Sequence, residues 1–329
     1  MKKLLLFSVA ALAFSACSND AVVSENKPTY EPKAISFAPL TKPNTRAAVE
    51  GTVFPTGQDM YVAAYDATAA QDYFAQTTFD EDGNTGLWKA NPPKYWPMNA
   101  ATLNFLAYTG IPIGSFFNAE HPSQGLTITL ADNTTNQYDL MYACGRGTRA
   151  SGSSASNVSM NFKHALALIK FEVKTANDYS YGNPKVYPLV ITNIVLTGAH
   201  YSGTFAVTHT GWNSPDAAQS ATGAWSSVGT QGNVTRTPTF ANITTSFQQV
   251  GDGILVVPDD DNNVDDYTSF TINYTLDGKA YSYTYTPADL DVHQAKKYTF
   301  QITMTLNEIV IAPTVTDYVE ENNNSLTVQ

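Results

Sequence analysis

The sequence predicts an all-β protein made of two antiparallel β-sandwich domains in series, and three observations carry that expectation. The 329 residues are 43% hydrophobic but only 14% charged, against a usual ~25% charged. The polarity comes from Thr, Ser, Asn and Tyr, and 20 Gly, 17 Pro and 19 Tyr suit short strands and turns. Apolar residues alternate in strand-length pieces bounded by turn formers, with no ten-residue helical period between them. At ~150 residues per domain, the length accommodates about two domains.

The first residues read as an export address. Met1-Lys2-Lys3 is basic, Leu4 to Phe14 is an apolar run too short to span a bilayer, and Ser15-Ala16 supplies small residues for a signal peptidase. Cys17 follows at once, and Phe14-Ser15-Ala16-Cys17 resembles a bacterial lipobox, whose Cys sulfur receives a diacylglycerol. Each buried acyl CH₂ is worth ~0.8 kcal/mol, so two or three chains anchor a protein firmly. With Cys17 lipidated, Cys144 lacks a disulfide partner, and its strand-like surroundings suit a small buried hydrophobe better than a nucleophile.

Residues 18–34 are polar and unpatterned, as a tether is. Ile35 to Leu40 reads as one short strand, with Ile35 and Phe37 on one face by the period-two rule. A Pro/Asn/Thr loop through Ala48 follows. Tyr61–Tyr65, Leu103–Tyr108, Leu126–Leu130, Val158–Phe162 and Ala165–Val173 are further strands, with Thr78–Ala90 expected as a turn region and Gly145–Asn157 as a Gly/Ser loop. Turn formers at Asn177–Pro184 mark the expected domain boundary. Beyond it, strands are expected at Tyr187–Leu196, Gly203–Val207, Gly253–Val257, Phe270–Tyr274, Tyr281–Tyr285 and Tyr298–Leu306.

The ordered series of strings resembles the fimbrillin-like proteins of Bacteroidales, the subunits of type V pili and their relatives. The strings are the lipobox at Cys17, Ile35-Ser36-Phe37 followed by Thr45-Arg46-Ala47, Tyr61-Val62-Ala63-Ala64-Tyr65 and Tyr95-Trp96-Pro97. Leu103 to Tyr108, Asp139-Leu140-Met141-Tyr142-Ala143, Phe162-Lys163-His164-Ala165-Leu166-Ala167 and, more loosely, Lys296 to Phe300 continue the series.

The resemblance implies transthyretin-like sandwiches and a maturation route. A trypsin-like protease would cut after Arg46, leaving Ala47 as the new N-terminus. The strand holding Ile35 and Phe37 would be lost, and a neighbouring subunit's strand would take its place. The chain then divides into a signal peptide (1–16), a tether with a removable first strand (17–46), two sandwiches (47–176 and 177–308) and a C-terminal tail (309–329). Burial of Ile35 and Phe37, at ~1.5–3 kcal/mol each, would let the strand plug the first domain. Its removal would leave unpaired edges that template another chain, a known form of strand addition.

The candidate donor strand is the tail, with Ile309, Ile311 and Val315 on one side of an extended segment and Leu326 and Val328 in a second short piece. Two readings stay open: a donor strand, or the last strand of the second domain followed by a frayed end. Pro313 favours an edge or donor position, because a central strand would lose a ladder bond there. Arg146 and Arg149 form a second basic site in a glycine loop and are expected to be loop charges.

A net charge of −11 with 18 Lys+Arg argues against nucleic acid. No phosphate loop, Cys-x-x-Cys or Gly-x-Ser-x-Gly elbow occurs, so no enzyme activity and no cofactor are expected. The five His show no metal spacing, and His164 is expected to be a satisfied structural residue. The run Asp259 to Asp266 offers oxygen ligands for calcium but lacks the pattern of an EF-hand loop. Trp88, Trp96, Trp212 and Trp225 are the residues a sugar-binding surface would use, with Trp212 and Trp225 expected beside an exposed loop.

The expected function is a structural pilin of the stalk or tip. Its partners would be other pilin subunits, the maturation protease and an adhesion receptor, with membrane contact only through lipid before maturation. It would sit in a cell-surface fimbrium, as an outer-membrane lipoprotein while a precursor. The alternative is a surface lipoprotein that binds glycan or host protein through its loops and does not polymerise.

Overall fold

A computed structural model describes residues 31–39, 58–83, 86–99, 101–111, 125–135, 137–149, 157–177, 188–211, 220–229, 231–258, 269–287, 292–306 and 308–318. Its regular elements are all strands, so the chain is an all-β protein. The first half supplies β1 (Ser36–Pro39), β2 (Met60–Asp66), β3 (Gln71–Asp82), β4 (Leu87–Ala90), β5 (Thr102–Thr109), β6 (Leu126–Leu130), β7 (Met141–Thr148), β8 (Val158–Met160), β9 (Lys163–His164) and β10 (Ala167–Thr175). The second half supplies β11 (Leu189–His200), β12 (Gly203–Thr210), β13 (Ser220–Val228), β14 (Gln231–Arg236), β15 (Gln248–Gln249), β16 (Ile254–Val256), β17 (Ser269–Leu276), β18 (Lys279–Tyr285), β19 (Lys296–Met304) and β20 (Ile309–Asp317).

Eight strands form the first sheet in the order β8-β1-β4-β3-β2-β5-β7-β9. It curls so that β8 lies against β7: a methyl group on Gly145 would stand 2.5 Å from Met160 Sδ, and one on Gly147 would stand 2.9 Å from Val158. Glycine suits that closure because a methyl group at either position would push on the side chains facing it. The enclosed face holds Phe37, Met60, Val62, Phe79, Trp88, Trp96, Phe105 and Met160.

Every residue of β2 and β5 is buried, because the sheet's other face is covered as well. There Tyr61, Tyr108 and Tyr142 join Leu126 and Ile128 of β6 and Phe205 and Val207 of β12. β6 pairs antiparallel with β12, and β12 with β13.

The third core lies between two further sheets, β15-β10-β19-β20, with β16 also on β10, and β14-β11-β17-β18. Phe171, Phe270 and Phe300 pack together at its centre, with ring centroids 4.7–5.8 Å apart. β10 runs parallel to β19 over eight paired positions, Leu168↔Lys297 to Thr175↔Met304. Strands from both sides of residue 177 therefore share a sheet.

Two local expectations are corrected, and two strands appear that were not expected. The Thr78–Ala90 segment is not simply a turn: β3 runs through Asp82 and β4 starts at Leu87. Within β3 only Phe74 and Phe79 are buried, so alternation in the sequence is faint. The Gly145–Asn157 loop starts late, because Gly145–Thr148 completes β7 against β5. Finally, β13 and β14 had no apolar alternation to announce them; β13 is read by its pairing with β12.

Candidate functional site: the seat of the first strand

β1 is short, yet it is paired on both sides. Ser36 and Phe37 oppose Lys89 and Trp88 of β4 in antiparallel register, while Phe37, Ala38 and Pro39 run parallel to Val158, Ser159 and Met160 of β8. Just upstream, Ile35 N–H donates to Lys94 O at 2.7 Å and Trp96 N–H donates to Lys33 O at 2.9 Å, so the Tyr95-Trp96-Pro97 string flanks the approach to β1. Ser36 Oγ donates to Asn157 Oδ1 at 2.6 Å, tying the strand to the residue before β8.

The side chains explain why the strand sits there. Phe37 and Ile35 are 0% and 1% exposed. Phe37 meets Phe79 at 4.8 Å and Phe105 at 5.0 Å, both edge to face, an arrangement that sets a positive ring edge against a negative face. Phe105 also takes the edge of Trp96 at 5.8 Å. Trp88 is fully buried, and its indole N–H donates to Gln58 O at 3.1 Å. Lifting β1 away would uncover this aromatic floor and leave the facing edges of β4 and β8 unpaired. Such a slot can bind an extended chain by ladder bonds and side-chain pockets, and it can do so without bond chemistry.

Other residues singled out in the sequence fall as follows. Cys17, Arg46, Ala47, Leu326 and Val328 lie outside the described residues, as do Trp212 and the acidic run 259–266. Ile309, Ile311 and Val315 lie on β20, which pairs antiparallel with β19 at the edge of its sheet. Tyr318 N–H donates to Ala295 O, and Thr305 N–H to Glu308 O. In that register the even-numbered residues of β20 bond to β19, and Ile309, Ile311, Pro313, Val315 and Asp317 turn their backbone groups to the free edge. Pro313, with no N–H, sits where no ladder bond is lost.

Arg146 is corrected from a loop charge to a structural cation. Its Nε donates to Asn104 Oδ1 at 2.8 Å and its Nη2 to Gly211 O at 2.9 Å. Trp225 is corrected as well: it packs against Phe205 at 5.1 Å, and its indole N–H donates to Ala165 O at 2.7 Å. With Trp88 and Trp96 buried, these three indoles serve cores and not a sugar platform. Burial pushes the Cys144 thiol up, outweighing the nearby Lys163 and Arg146 cations, which keeps it out of the nucleophilic thiolate form. Among the described residues, no group of three His, Cys, Asp or Glu is placed to hold a metal ion.

The sequence did not point to Trp88, Asn157 or Val158 as partners of β1. Parallel pairing with a strand about 120 residues away has no local signature; the alternation of Val158-Ser159-Met160 marks a strand but not its neighbour.

The comparisons with known proteins agree with this architecture. The model of the fimbrillin-like family matches residues 45–317. A solved structure from Bacteroides uniformis, described as a candidate cell adhesion protein, is 14% identical, covers 88% of this chain and 99% of its own, and superposes with a TM-score of 0.52. A second from Bacteroides ovatus, with the same description, is 14% identical, covers 89% of this chain and 100% of its own, with a TM-score of 0.53. At that identity the two structures share the fold. No curated protein matches by sequence. The family is one of fimbrial structural proteins and not of enzymes. By the match across most of its length, the chain belongs to the fimbrillin-like family.

Proposed function

We propose that the protein is a pilin-like subunit of a cell-surface fimbria with a role in adhesion. It is exported as a lipoprotein through Cys17, trimmed by a trypsin-like protease after Arg46, and polymerised by strand exchange. The observation that carries this reading is the position of Phe37: a fully buried side chain on a four-residue strand inserted between β4 and β8. A cut after Arg46 would separate that strand covalently from the body, which begins again at β2. The vacated slot would accept an extended segment from a neighbour, with Ile309, Ile311, Val315, Leu326 and Val328 as the donor candidates. Head-to-tail contacts of this kind do not close, so they generate a filament. The family membership and the adhesion descriptions of the two similar structures support the same reading.

The test is N-terminal sequencing of the protein recovered from cells, followed by incubation of the trimmed protein. The expected mature N-terminus is Ala47, with ladders that resist SDS, and Arg46→Ala is expected to abolish both. A mature chain that keeps its lipid on Cys17 and forms no ladders would instead identify a non-polymerising surface lipoprotein.

A further inference from the structure

β20 is nine residues long and is weakly held by side chains. Among the described residues 308–318, only Tyr318 is buried; Val310 and Val315 are 47% and 55% exposed. The strand is fastened by its ladder to β19, by Ile309 and Ile311, which are partly buried against the third core, by a solvent-exposed pair between Lys296 and Asp317, and by this last tyrosine.

Tyr318 is buried in a different core from the one that Ile309 and Ile311 touch. Its ring stacks on His164, with centroids 3.7 Å apart and planes at 19°. Its hydroxyl donates to Asp139 Oδ2 at 2.7 Å, while the other carboxylate oxygen of Asp139 lies 3.1 Å from His164 Nδ1. Gln294 Nε2 donates to His164 O and to Tyr142 OH, both at 3.2 Å, closing the surround from the β19 side. Asp139 precedes β7 and His164 belongs to β9, so one side chain ties the end of the C-terminal strand to the first sheet. Tyr318 packs in the same cluster as Tyr61, Leu140 and Leu166.

We propose that Tyr318 is a latch that decides how much of the C-terminal segment a subunit can offer, a positioning role that rests on the strand-exchange reading above. With the latch seated, β20 stays laid along β19 through Asp317. With it withdrawn, β20 peels from Asp317 towards Ile309, and its nine residues add ~30 Å of extended chain at ~3.3 Å per residue. The peel starts at the exposed end, Ala312–Asp317, and reaches the partly buried Ile311 and Ile309 last; β19 stays paired with β10. Asp139 and His164 are the fixed half of the latch, and Tyr318 is the moving half.

Amide hydrogen exchange on the uncleaved full-length monomer tests this without any polymer. Protection at Val310, Ala312, Thr314 and Thr316, whose amides face β19, is expected to fall roughly 100-fold in Tyr318→Ala. In Tyr318→Phe, which keeps the stack but drops the bond to Asp139, the expected fall is roughly tenfold, the scale of one charge-assisted hydrogen bond. Protection in β10 and β11 is expected to stay unchanged. Unaltered β20 protection in both variants overturns the latch, and so does an equal loss across all sheets, which would mark Tyr318 as an ordinary core residue. A second arm compares ladder formation after trimming, where Tyr318→Phe is expected to polymerise several-fold faster than the parent. If β20 loosens but neither protein forms ladders, the latch stands and strand exchange fails. If both polymerise at equal rates with β20 protection intact, the latch fails and strand exchange stands.

Discussion

β1 and β20 make opposite bargains with the fold. β1 has four residues, lies between two partners and carries a fully buried phenylalanine. β20 has nine residues, one partner, and side chains that are mostly exposed. Length therefore does not measure how firmly a strand is built in; apolar burial and the number of paired edges do. A strand like β1 leaves a deep vacancy when it departs, whereas one like β20 leaves a nearly intact sheet. A strand-exchange polymer needs one strand of each sort, the first to define a slot and the second to be spared.

Four substitutions break or sharpen that contrast. Phe37→Ala removes a ring that touches Phe79 and Phe105 edge to face and is expected to cost about 3–5 kcal/mol in urea unfolding of the uncleaved protein. A loss on the surface-substitution scale would mean that β1 is not a plug. Gly147→Ala places a methyl group 2.5 Å from the Trp96 ring and 2.9 Å from Val158. It should overpack the closure beside β1 and lower the unfolding midpoint by the equivalent of about 1–3 kcal/mol. Val315→Ala on β20 should stay within about 0.5 kcal/mol in the same assay; a larger effect would give β20 a core role that its exposure denies. Pro313→Val should change stability least of all. It restores an outward N–H to the free edge, and sedimentation velocity on the uncleaved protein should detect stronger concentration-dependent self-association than in the parent.

The sequence was most legible where burial follows a local period. Ile35 and Phe37 alternate, and both are buried; β2, β5, β10 and β19 likewise coincide with apolar pieces of strand length. Pairing between distant segments was not legible. The eight-position parallel match of β10 with β19 and the seat of β1 beside β8 are fixed by topology, which no short window encodes. Polar residues misled for a related reason. Arg146 reads as a loop cation until Asn104 and the carbonyl of Gly211 are brought to it, and Trp225 reads as exposed until Ala165 meets its indole. His164 was legible as structural, and Asp139 meets its ring, but nothing in the final residues marked Tyr318 as the side chain that would stack on it.

Pro313 has a further consequence for molecules crowded side by side on a cell. It interrupts the middle of the five outward-turned positions of β20, so a parallel neighbour cannot zip along the whole border. An added strand would lose a ladder bond at the middle of that border, so sideways sticking between subunits is blunted.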